Sequence, residues 1–183
     1  PEMIGQMQVL DISDLPTARL ALLEKKAELL AEAAEIDPVL KKLGGGPRDL
    51  EVRMIAESPI GPFMVVHIIY DVRDAMGANA VNTACERLAP KVESLTGGRV
   101  HLRILSNLAE RRLARARCMI PLGELTFEGY PAETVRDGVM AAWAFAASDP
   151  YRAATHNKGI MNGIDPIVIA TGNDWRAVEA GEA

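Results

Sequence analysis

Hydrophobic and polar residues follow one another in a pattern that predicts six elements in residues 1–105. Leucines at helical spacing predict a helix over 15–36, which ends near Asp37-Pro38 because proline moves its predecessor out of the α region. A second helix is predicted over 75–95. The predicted strands, which alternate apolar and polar residues or are rich in β-branched ones, cover 7–12, 49–57, 63–72 and 99–105.

The order β-α-β-β-α-β is that of the ferredoxin-like, or split βαβ, plan. The two central strands are predicted to form a hairpin, and the plan closes at residue 105, so a domain boundary is expected near Ser106. The fold class is therefore predicted as α+β. Residues 1–105 form a small ferredoxin-like domain, and residues 106–183 form part of a larger mixed α/β domain.

The second region has a less regular pattern. A basic helix is predicted over 107–117, a short strand over 117–123 and an alanine-rich helix over 131–147. Alanine-rich helices pack closely, which favours a core or a subunit interface for the last of these. The β-branched run at 167–170 predicts a short buried strand between two polar turns.

Composition narrows the function classes. The net charge of −5 argues against broad nucleic-acid binding and against an anionic membrane surface. No apolar stretch approaches the ~20 residues that span a bilayer, and the chain opens with no signal peptide, so we expect a cytoplasmic protein. Cys85 and Cys118 are isolated and are expected to be reduced thiols, and no metal site is predicted. The chain starts at Pro1 rather than Met and stops where a helix begins, which suggests a segment of a longer polypeptide.

Two polar turns around the 167–170 run hold the first candidate chemistry. Lys158 lies in the first turn and Asp174 in the second, so a chain that doubles back brings them together. A partly desolvated lysine beside a carboxylate can donate to a developing oxyanion. The alternative is an ordinary ion pair between two loops. Arg152 and Asn162 would add a cationic and an amide group suited to an acyl-CoA-like or dicarboxylate-like substrate.

A second set of candidates follows the strand predicted at 63–72. The segment from Asp74 to Asn79 is rich in small residues and precedes a helix, whose N-terminus attracts phosphate. It does not match the GxGxxG pattern, and a plain helix cap is the alternative. Asp37 can accept two ribose hydroxyls and repel a 2′-phosphate, or it is a surface acid at a helix end. Asn107 is a polar group beside the last strand or an N-cap.

Three runs closely resemble class II 3-hydroxy-3-methylglutaryl-coenzyme A (HMG-CoA) reductase, and the resemblance covers nearly the whole chain. They are DVRDAMGANAVNTACE at 71–86, RCMIPLGELTFEG at 117–129 and AATHNKGIMNGIDPIVIATGNDWRAVEAG at 153–181. The resemblance implies an oxidoreductase that interconverts HMG-CoA and mevalonate plus coenzyme A with two dinucleotides. It also implies a ferredoxin-like domain that binds the dinucleotide and a homodimer or higher homo-oligomer.

The resemblance assigns roles to matching residues. Lys158 corresponds to the catalytic lysine and Asp174 to the aspartate that tunes it, while Arg152 and Asn162 correspond to substrate-contacting positions. Asp37 corresponds to the acid associated with NAD rather than NADP, which favours the mevalonate-oxidising direction over isoprenoid synthesis. The expected dinucleotide contacts are Asp37, Asp74, Met76, Gly77, Ala78, Asn79 and Asn107.

The chain also departs from the family pattern. The family's catalytic glutamate and C-terminal catalytic histidine have no match here, and His67, His101 and His156 do not replace that histidine. Each general acid or base contributes ~10²–10⁴ in rate, so the segment alone is predicted to be inactive. The alternative function belongs to a different class of protein: a non-catalytic ferredoxin-like binding or assembly module in which the Lys158–Asp174 pair is purely structural.

Overall fold

The computed structural model describes residues 1–181 and separates them into two compact units. The first unit is formed by residues 1–113, and the second begins at Ala114. The predicted boundary near Ser106 falls seven residues before the end of the first unit. All strands of the described chain belong to the first unit.

The first unit follows the predicted element order, with two differences in the helices and with a first strand that begins five residues and ends two residues before the predicted 7–12. Its strands are β1 (Glu2–Leu10), β2 (Gly46–Ile55), β3 (Phe63–Asp71) and β4 (Arg99–Ser106). Its helices are α1 (Leu15–Glu24), α2 (Lys26–Ala34), α3 (Pro38–Lys42) and α4 (Ala78–Thr96). The single helix predicted over 15–36 is two helices that meet at Lys25, whose ψ of 7° lies outside the helical range. The helix α3 was not predicted, and it starts at Pro38 because Asp37 caps it.

The four strands form one antiparallel sheet in the order β2-β3-β1-β4. The predicted hairpin of β2 and β3 is confirmed. Glu2 and Gly46 both pair with Asp71, and Ile4 pairs with Ser106. The beginnings of β1 and β2 and the ends of β3 and β4 therefore lie at one end of the sheet, which we call the Asp71 end.

One face of the sheet packs against α1, α2 and α4 and forms the core. Met7, Leu50 and Ile68 from the strands are fully or almost fully buried against helix residues such as Leu22 and Leu88. Burying side chains of this size contributes ~1.5–3 kcal/mol each. Helix α4 approaches the sheet closely at Gly5, where an added Cβ would lie 2.5 Å from the Cys85 Sγ. This core fixes α4, and with it the turn that precedes α4.

Residues 107–113 lie against the opposite face of the sheet in an irregular conformation. The Arg111 guanidinium lies 2.7 Å from the Glu51 carboxylate and 3.6 Å from that of Glu2. On the same face, the buried His67 contacts Gln6 at 2.9 Å, and burial lowers the pKa of His67. The helix predicted over 107–117 is wrong, because these residues are irregular and Arg111 and Arg112 bind partners in the first unit instead of lying along a solvated helix.

The second unit is helical in its regular parts. It contains a 3₁₀ turn (Leu122–Leu125) and the helices α5 (Ala132–Ser148), α6 (Pro150–Ala170) and α7 (Trp175–Gly181). The helix predicted over 131–147 is confirmed as α5. The strand predicted over 117–123 is wrong, since these residues are irregular before the 3₁₀ turn.

The strand predicted over 167–170 is also wrong, because these residues form the last turn of α6. The helix continues through Pro166, and the Thr171 N–H donates to the carbonyl of Ile167 at 3.0 Å to close it. The β-branched side chains fit a strand by propensity alone, but propensity is a weak determinant once a helix is already under way. Among residues 1–181, no helix is long and apolar enough to cross a membrane.

Candidate functional site

The turn between β3 and α4, residues 72–77, lies at the Asp71 end of the sheet and contains the predicted small-residue segment. Gly77 occupies the N-cap of α4 with a φ of 92°, in the left-handed region. An added Cβ there would lie 2.5 Å from the Met3 sulfur and 2.8 Å from the Val72 side chain. Both the backbone conformation and the space therefore require glycine at this position.

The same turn presents a run of backbone N–H groups. The first helical hydrogen bond of α4 runs from Val81 N to Gly77 O at 3.1 Å, so the amides of residues 78–80 have no helical acceptor. The amides of Met76 and Gly77 also have no acceptor within residues 1–181. Free amides at a helix N-terminus favour an anionic ligand group, because the helix dipole adds to the hydrogen bonds.

Asp37 lies beside this helix start. Its Oδ1 accepts a hydrogen bond from the Leu40 N–H at 2.8 Å and caps α3, so the acid begins a helix as well as following one. Asp37 and Asn79 line one cavity of about 170 Å³, together with Ile36, Ala80 and Thr83. The structure therefore brings together two predicted ligand-binding residues that are 42 positions apart in the sequence. The second oxygen of Asp37 has no hydrogen-bond partner in the described chain and is left for a ligand hydroxyl.

A larger cavity of about 420 Å³ lies between α3 and the turn. Its lining is Leu40, Leu43, Val72, Arg73, Asp74 and Ala75. The side chain of Asp74 is exposed, and Asp74 and Arg73 both line this cavity. A lining that combines apolar and charged residues suits a ligand with a flat ring and a polar substituent.

An ion pair between the buried Asp71 and the partly exposed Arg48 supports this part of the turn. Asp71 accepts from the Arg48 guanidinium at 2.7 Å and from the Arg73 N–H at 3.0 Å. The hydrogen bond from Arg48 lowers the pKa of Asp71, which outweighs the opposing effect of burial. Both arginines also donate to the carbonyl of Gly44, so the start of β2 and the end of β3 are tied together.

Asn107 and Arg112 approach the same end of the sheet from β4. Asn107 follows directly on Ser106 and is exposed. The Arg112 guanidinium donates to two carbonyls of the turn, from Nη1 to Met76 O at 3.1 Å and from Nη2 to Ala75 O at 3.0 Å. The sequence did not indicate Arg112, because a side chain that binds backbone carbonyls belongs to no recognisable sequence motif. Thr83 could have been found, since it lies one helical turn after Asn79.

The candidate residues of the second unit lie on or just after α6. Lys158 and Asn162 are exposed and one turn apart, so they share a face of the helix. The backbone N–H of Arg152 donates to the Asp149 carboxylate at 2.8 Å, which caps the beginning of α6. Lys158 forms no hydrogen bond or ion pair with another described residue.

The predicted contact between Lys158 and Asp174 is not formed. The helix continues for twelve residues beyond Lys158 to Ala170, an axial distance of about 18 Å at 1.5 Å per residue. Asp174 instead accepts from the backbone N–H groups of Arg176 and Ala177 at 3.1 and 3.3 Å and begins α7. The doubling back that the predicted strand would have allowed is therefore absent.

The two units thus differ in what they offer chemically. The first unit places a carboxylate and an asparagine around one cavity and a set of free amides at the start of α4, which suits a ligand with both hydroxyl and phosphate groups. The second unit presents a lysine and an amide side chain on one helix face. The described residues contain no cluster of three or more His, Cys, Asp or Glu side chains that would hold a metal ion.

Comparison with known proteins identifies the family. A family model described as hydroxymethylglutaryl-coenzyme A reductase matches residues 1–183. The chain belongs to this reductase family. The match covers both units, so it does not favour the alternative of a non-catalytic binding module.

Curated relatives agree with this assignment. The chain is 52% identical over 179 residues to the 3-hydroxy-3-methylglutaryl-coenzyme A reductase of Archaeoglobus fulgidus, which covers 98% of the chain and 40% of that protein. It is 35% identical over 148 residues to a probable reductase of Borreliella burgdorferi, covering 79% of the chain and 34% of the relative. The chain therefore spans less than half the length of either protein.

Solved reductase structures show the same fold. The chain superposes on the HMG-CoA reductase of Streptococcus pneumoniae with a TM-score of 0.88 at 43% identity, covering 98% of the chain and 48% of that protein. A further structure, of the class II reductase from Streptococcus pneumoniae bound to NADPH in open conformations, also gives a TM-score of 0.88. Both units of the chain thus have counterparts in a reductase.

Proposed function

We propose that the chain supplies the dinucleotide-binding domain and the lysine-bearing part of the substrate domain of a class II HMG-CoA reductase. The reaction is the interconversion of HMG-CoA with mevalonate and coenzyme A, coupled to two NAD(H). The first unit, including the ferredoxin-like domain predicted over 1–105, would bind the dinucleotide, and residues 106–183 would belong to the larger domain. Family membership supports the reaction, and the cavity shared by Asp37 and Asn79 supports the placement of the dinucleotide.

The dinucleotide is proposed to lie across the Asp71 end of the sheet. Its pyrophosphate would bind the free amides of Met76, Gly77, Ala78 and Asn79, because they precede the positive end of α4. Asp37 would accept ribose hydroxyls through its unpaired oxygen, with Asn79 lining the same cavity. Asp74 and Asn107 would complete the polar rim at this end of the sheet.

We infer a preference for NAD over NADP from Asp37. A carboxylate at the ribose repels a 2′-phosphate, and no lysine or arginine lines the cavity that contains Asp37. The Streptococcus pneumoniae structure holds NADPH, so the preference of this chain is tested by titration with both dinucleotides. An NAD-linked enzyme favours the oxidation of mevalonate as the physiological direction.

Lys158 is proposed to stabilise the oxyanion of the reacting carbonyl, with Asp174 holding and tuning its ammonium. Arg152 and Asn162 would contact the substrate. Lys158 and Asp174 are not in contact here, so these roles require the end of α6 to rearrange in the complete enzyme. The chain alone, which lacks matches to the family's glutamate and histidine, is expected to be inactive, and the complete enzyme to be a cytoplasmic homodimer.

Fluorescence titration of the chain with NADH tests the proposal. We expect NADH to bind, and Asp37→Ser to weaken NADH binding several-fold while reducing the discrimination against NADPH. Serine retains an oxygen that can cap α3, so the helix is preserved while the charge is removed. Asp74→Ala is expected to weaken binding as well.

Asp14→Ser is a matched control. Asp14 caps α1 with the same type of hydrogen bond, to the Thr17 N–H at 3.1 Å, but it follows the end of β1 that is opposite the Asp71 end. It should leave NADH affinity unchanged. Absence of NADH and NADPH binding by the folded chain, or equal losses for Asp37→Ser and Asp14→Ser, would contradict the proposed site.

A further inference from the structure

We propose that Arg112 is a positioning residue for the dinucleotide, which holds the turn before α4 in the conformation that binds the pyrophosphate. The inference rests on the dinucleotide site proposed above and adds to it a residue that does not touch the ligand. It begins from the two hydrogen bonds from the Arg112 guanidinium to the carbonyls of Ala75 and Met76, at 3.0 and 3.1 Å.

These two bonds fix two successive peptide planes. In a planar trans peptide the C=O and the N–H point in opposite directions, and the described chain has no cis peptide bonds. The carbonyl of Ala75 shares its peptide with the N–H of Met76, and the carbonyl of Met76 shares its peptide with the N–H of Gly77. Both N–H groups therefore point away from Arg112, and neither has an acceptor in residues 1–181.

The amides that Arg112 orients continue directly into those of the helix start. Residues 78–80 follow with N–H groups that have no helical acceptor, because the first bond of α4 is made by Val81. Gly77 allows the chain to pass from the turn into the helix with a φ of 92°. An arginine is suited to this role because its planar guanidinium can bridge two carbonyls, whereas an ammonium is a single point charge.

Arg112 is itself held in place by its neighbours. Its backbone N–H donates to Ala109 O at 3.0 Å, and the adjacent Arg111 is anchored to Glu51 and Glu2 on the sheet. The segment that follows β4 therefore connects the sheet face to the turn. Since Asn107 begins this segment, the same connection would keep that side chain near the ligand.

Titration of the chain with three probes tests the inference. For Arg112→Ala we expect the affinity for NADH and for ADP-ribose, which both contain the pyrophosphate, to fall about tenfold. A loss of this size corresponds to one charge-assisted hydrogen bond between the turn and the ligand. Affinity for adenosine, measured by competition, should change less than twofold. Arg112→Lys keeps the charge but cannot bridge both carbonyls, so it should also lose several-fold in ADP-ribose affinity.

Arg103→Ala serves as the matched control, because Arg103 also bonds a backbone carbonyl, Val100 O at 3.1 Å, and the Glu86 carboxylate at 3.0 Å, without touching the turn. It should lower thermal stability at least as much as Arg112→Ala and should not separate ADP-ribose from adenosine. If both Arg112 variants are folded and bind ADP-ribose like the unmodified chain, the positioning role is overturned while the proposed function stands. If the unmodified chain binds none of NADH, NADPH and ADP-ribose, the site and the role of Arg112 fail together.

Discussion

The two units of this chain differ most in how much of their apolar surface is covered. In the first unit Leu22, Ile68 and Leu88 are completely buried in a core between the sheet and three helices. In the second unit, among the residues that the structure describes, only Ala132 and Met161 are buried. Large side chains there are exposed, such as Trp143 at 60% and Ile167 at 67%.

This difference explains why one candidate site is assembled and the other is not. A packed core fixes the elements that carry Asp37, Gly77 and Asn79. Helices α5 and α6 have few buried side chains to hold them, and Lys158 lies on a helix face with no partner among residues 1–181. The chain spans only 40% of the length of the Archaeoglobus fulgidus reductase.

The largest expected effect is on the turnover rate, and it distinguishes a loss of catalysis from a loss of cofactor binding. In a complete reductase that contains this segment, Lys158→Ala should lower kcat by about 10²–10³ or more, the usual cost of removing an oxyanion donor. The affinity for NADH should remain within about twofold, because Lys158 and the cavity proposed for the dinucleotide belong to different units. Steady-state rates and NADH titration measure the two quantities independently.

Asp74→Ala provides the reverse case, since it should raise KM for NADH while leaving kcat at saturating cofactor nearly unchanged. Asp174→Asn should resemble Lys158→Ala. Near-normal turnover of Lys158→Ala would remove the catalytic assignment from the second unit.

The second prediction tests the contrast in packing. Leu88→Ala should lower the free energy of unfolding of the first unit by about 2–5 kcal/mol, because the side chain is fully buried in the core. Ile167→Ala should change stability by less than about 0.5 kcal/mol in this chain, because its side chain is 67% exposed. Urea unfolding followed by circular dichroism measures both.

Tryptophan fluorescence can resolve the two units, since Trp143 and Trp175 both belong to the second. The destabilisation of the first unit by Leu88→Ala should therefore change the tryptophan fluorescence only weakly. If Ile167→Ala proved as costly as Leu88→Ala in the isolated chain, the contrast in packing would be false.

The third prediction compares two glycines. Gly77→Ala should destabilise the first unit by about 1–3 kcal/mol, because its φ of 92° is strained for alanine and the new Cβ meets Met3 and Val72. Gly163→Ala, in the interior of α6 with no atom within 4 Å of its Cβ position, should stabilise the helix by about 0.5–1 kcal/mol. Thermal unfolding of the two variants should shift in opposite directions, and shifts of the same sign would contradict the model of the turn.

The smallest expected effect is the pH dependence of the stability that Asp71 contributes to the first unit. The pKa of Asp71 is lowered in the folded state by Arg48, so its contribution to stability is complete above the unfolded pKa and is lost as the pH falls through the folded pKa. Asp71→Asn should therefore cost about 1–2 kcal/mol at pH 7. The difference from the unmodified chain should shrink below about pH 4.

Asp137→Asn is the control, because Asp137 forms only an exposed pair with Arg136 in the second unit. Its urea midpoint should match that of the unmodified chain at every pH. A cost of Asp71→Asn that stays constant from pH 7 to pH 3 would show that the carboxylate does not act through its charge.

The sequence predicted the elements of the first unit because most of them carry an unambiguous period. The alternation in β2 and the β-branched run in β3 place side chains on the faces that the sheet then buries or exposes. The boundary at Asp37 was found from Pro38, but the short α3 was not, since five residues are too few to show a helical period.

The site was predicted unevenly for related reasons. Asp37, Gly77 and Asn79 were chosen from local chemistry, and the fold brings them to one end of the sheet. Arg112 escaped notice because its partners are carbonyls 36 and 37 residues away. The strand predicted over 167–170 was wrong because the prediction used side-chain propensity and did not consider that α6 continues into these residues. The predicted Lys158–Asp174 contact depended on that strand and was wrong for the same reason.

Pro166 makes helix α6 easier to bend at one defined position. Its ring removes the hydrogen bond to the carbonyl of Asn162, and an interior proline costs a helix ~3 kcal/mol. The discontinuity lies between the amine of Lys158 and the carboxylate of Asp174. A helix interrupted there bends at a lower energetic cost than an uninterrupted one, so Pro166 is the position at which we expect α6 to bend if the proposed contact between Lys158 and Asp174 forms in the complete enzyme.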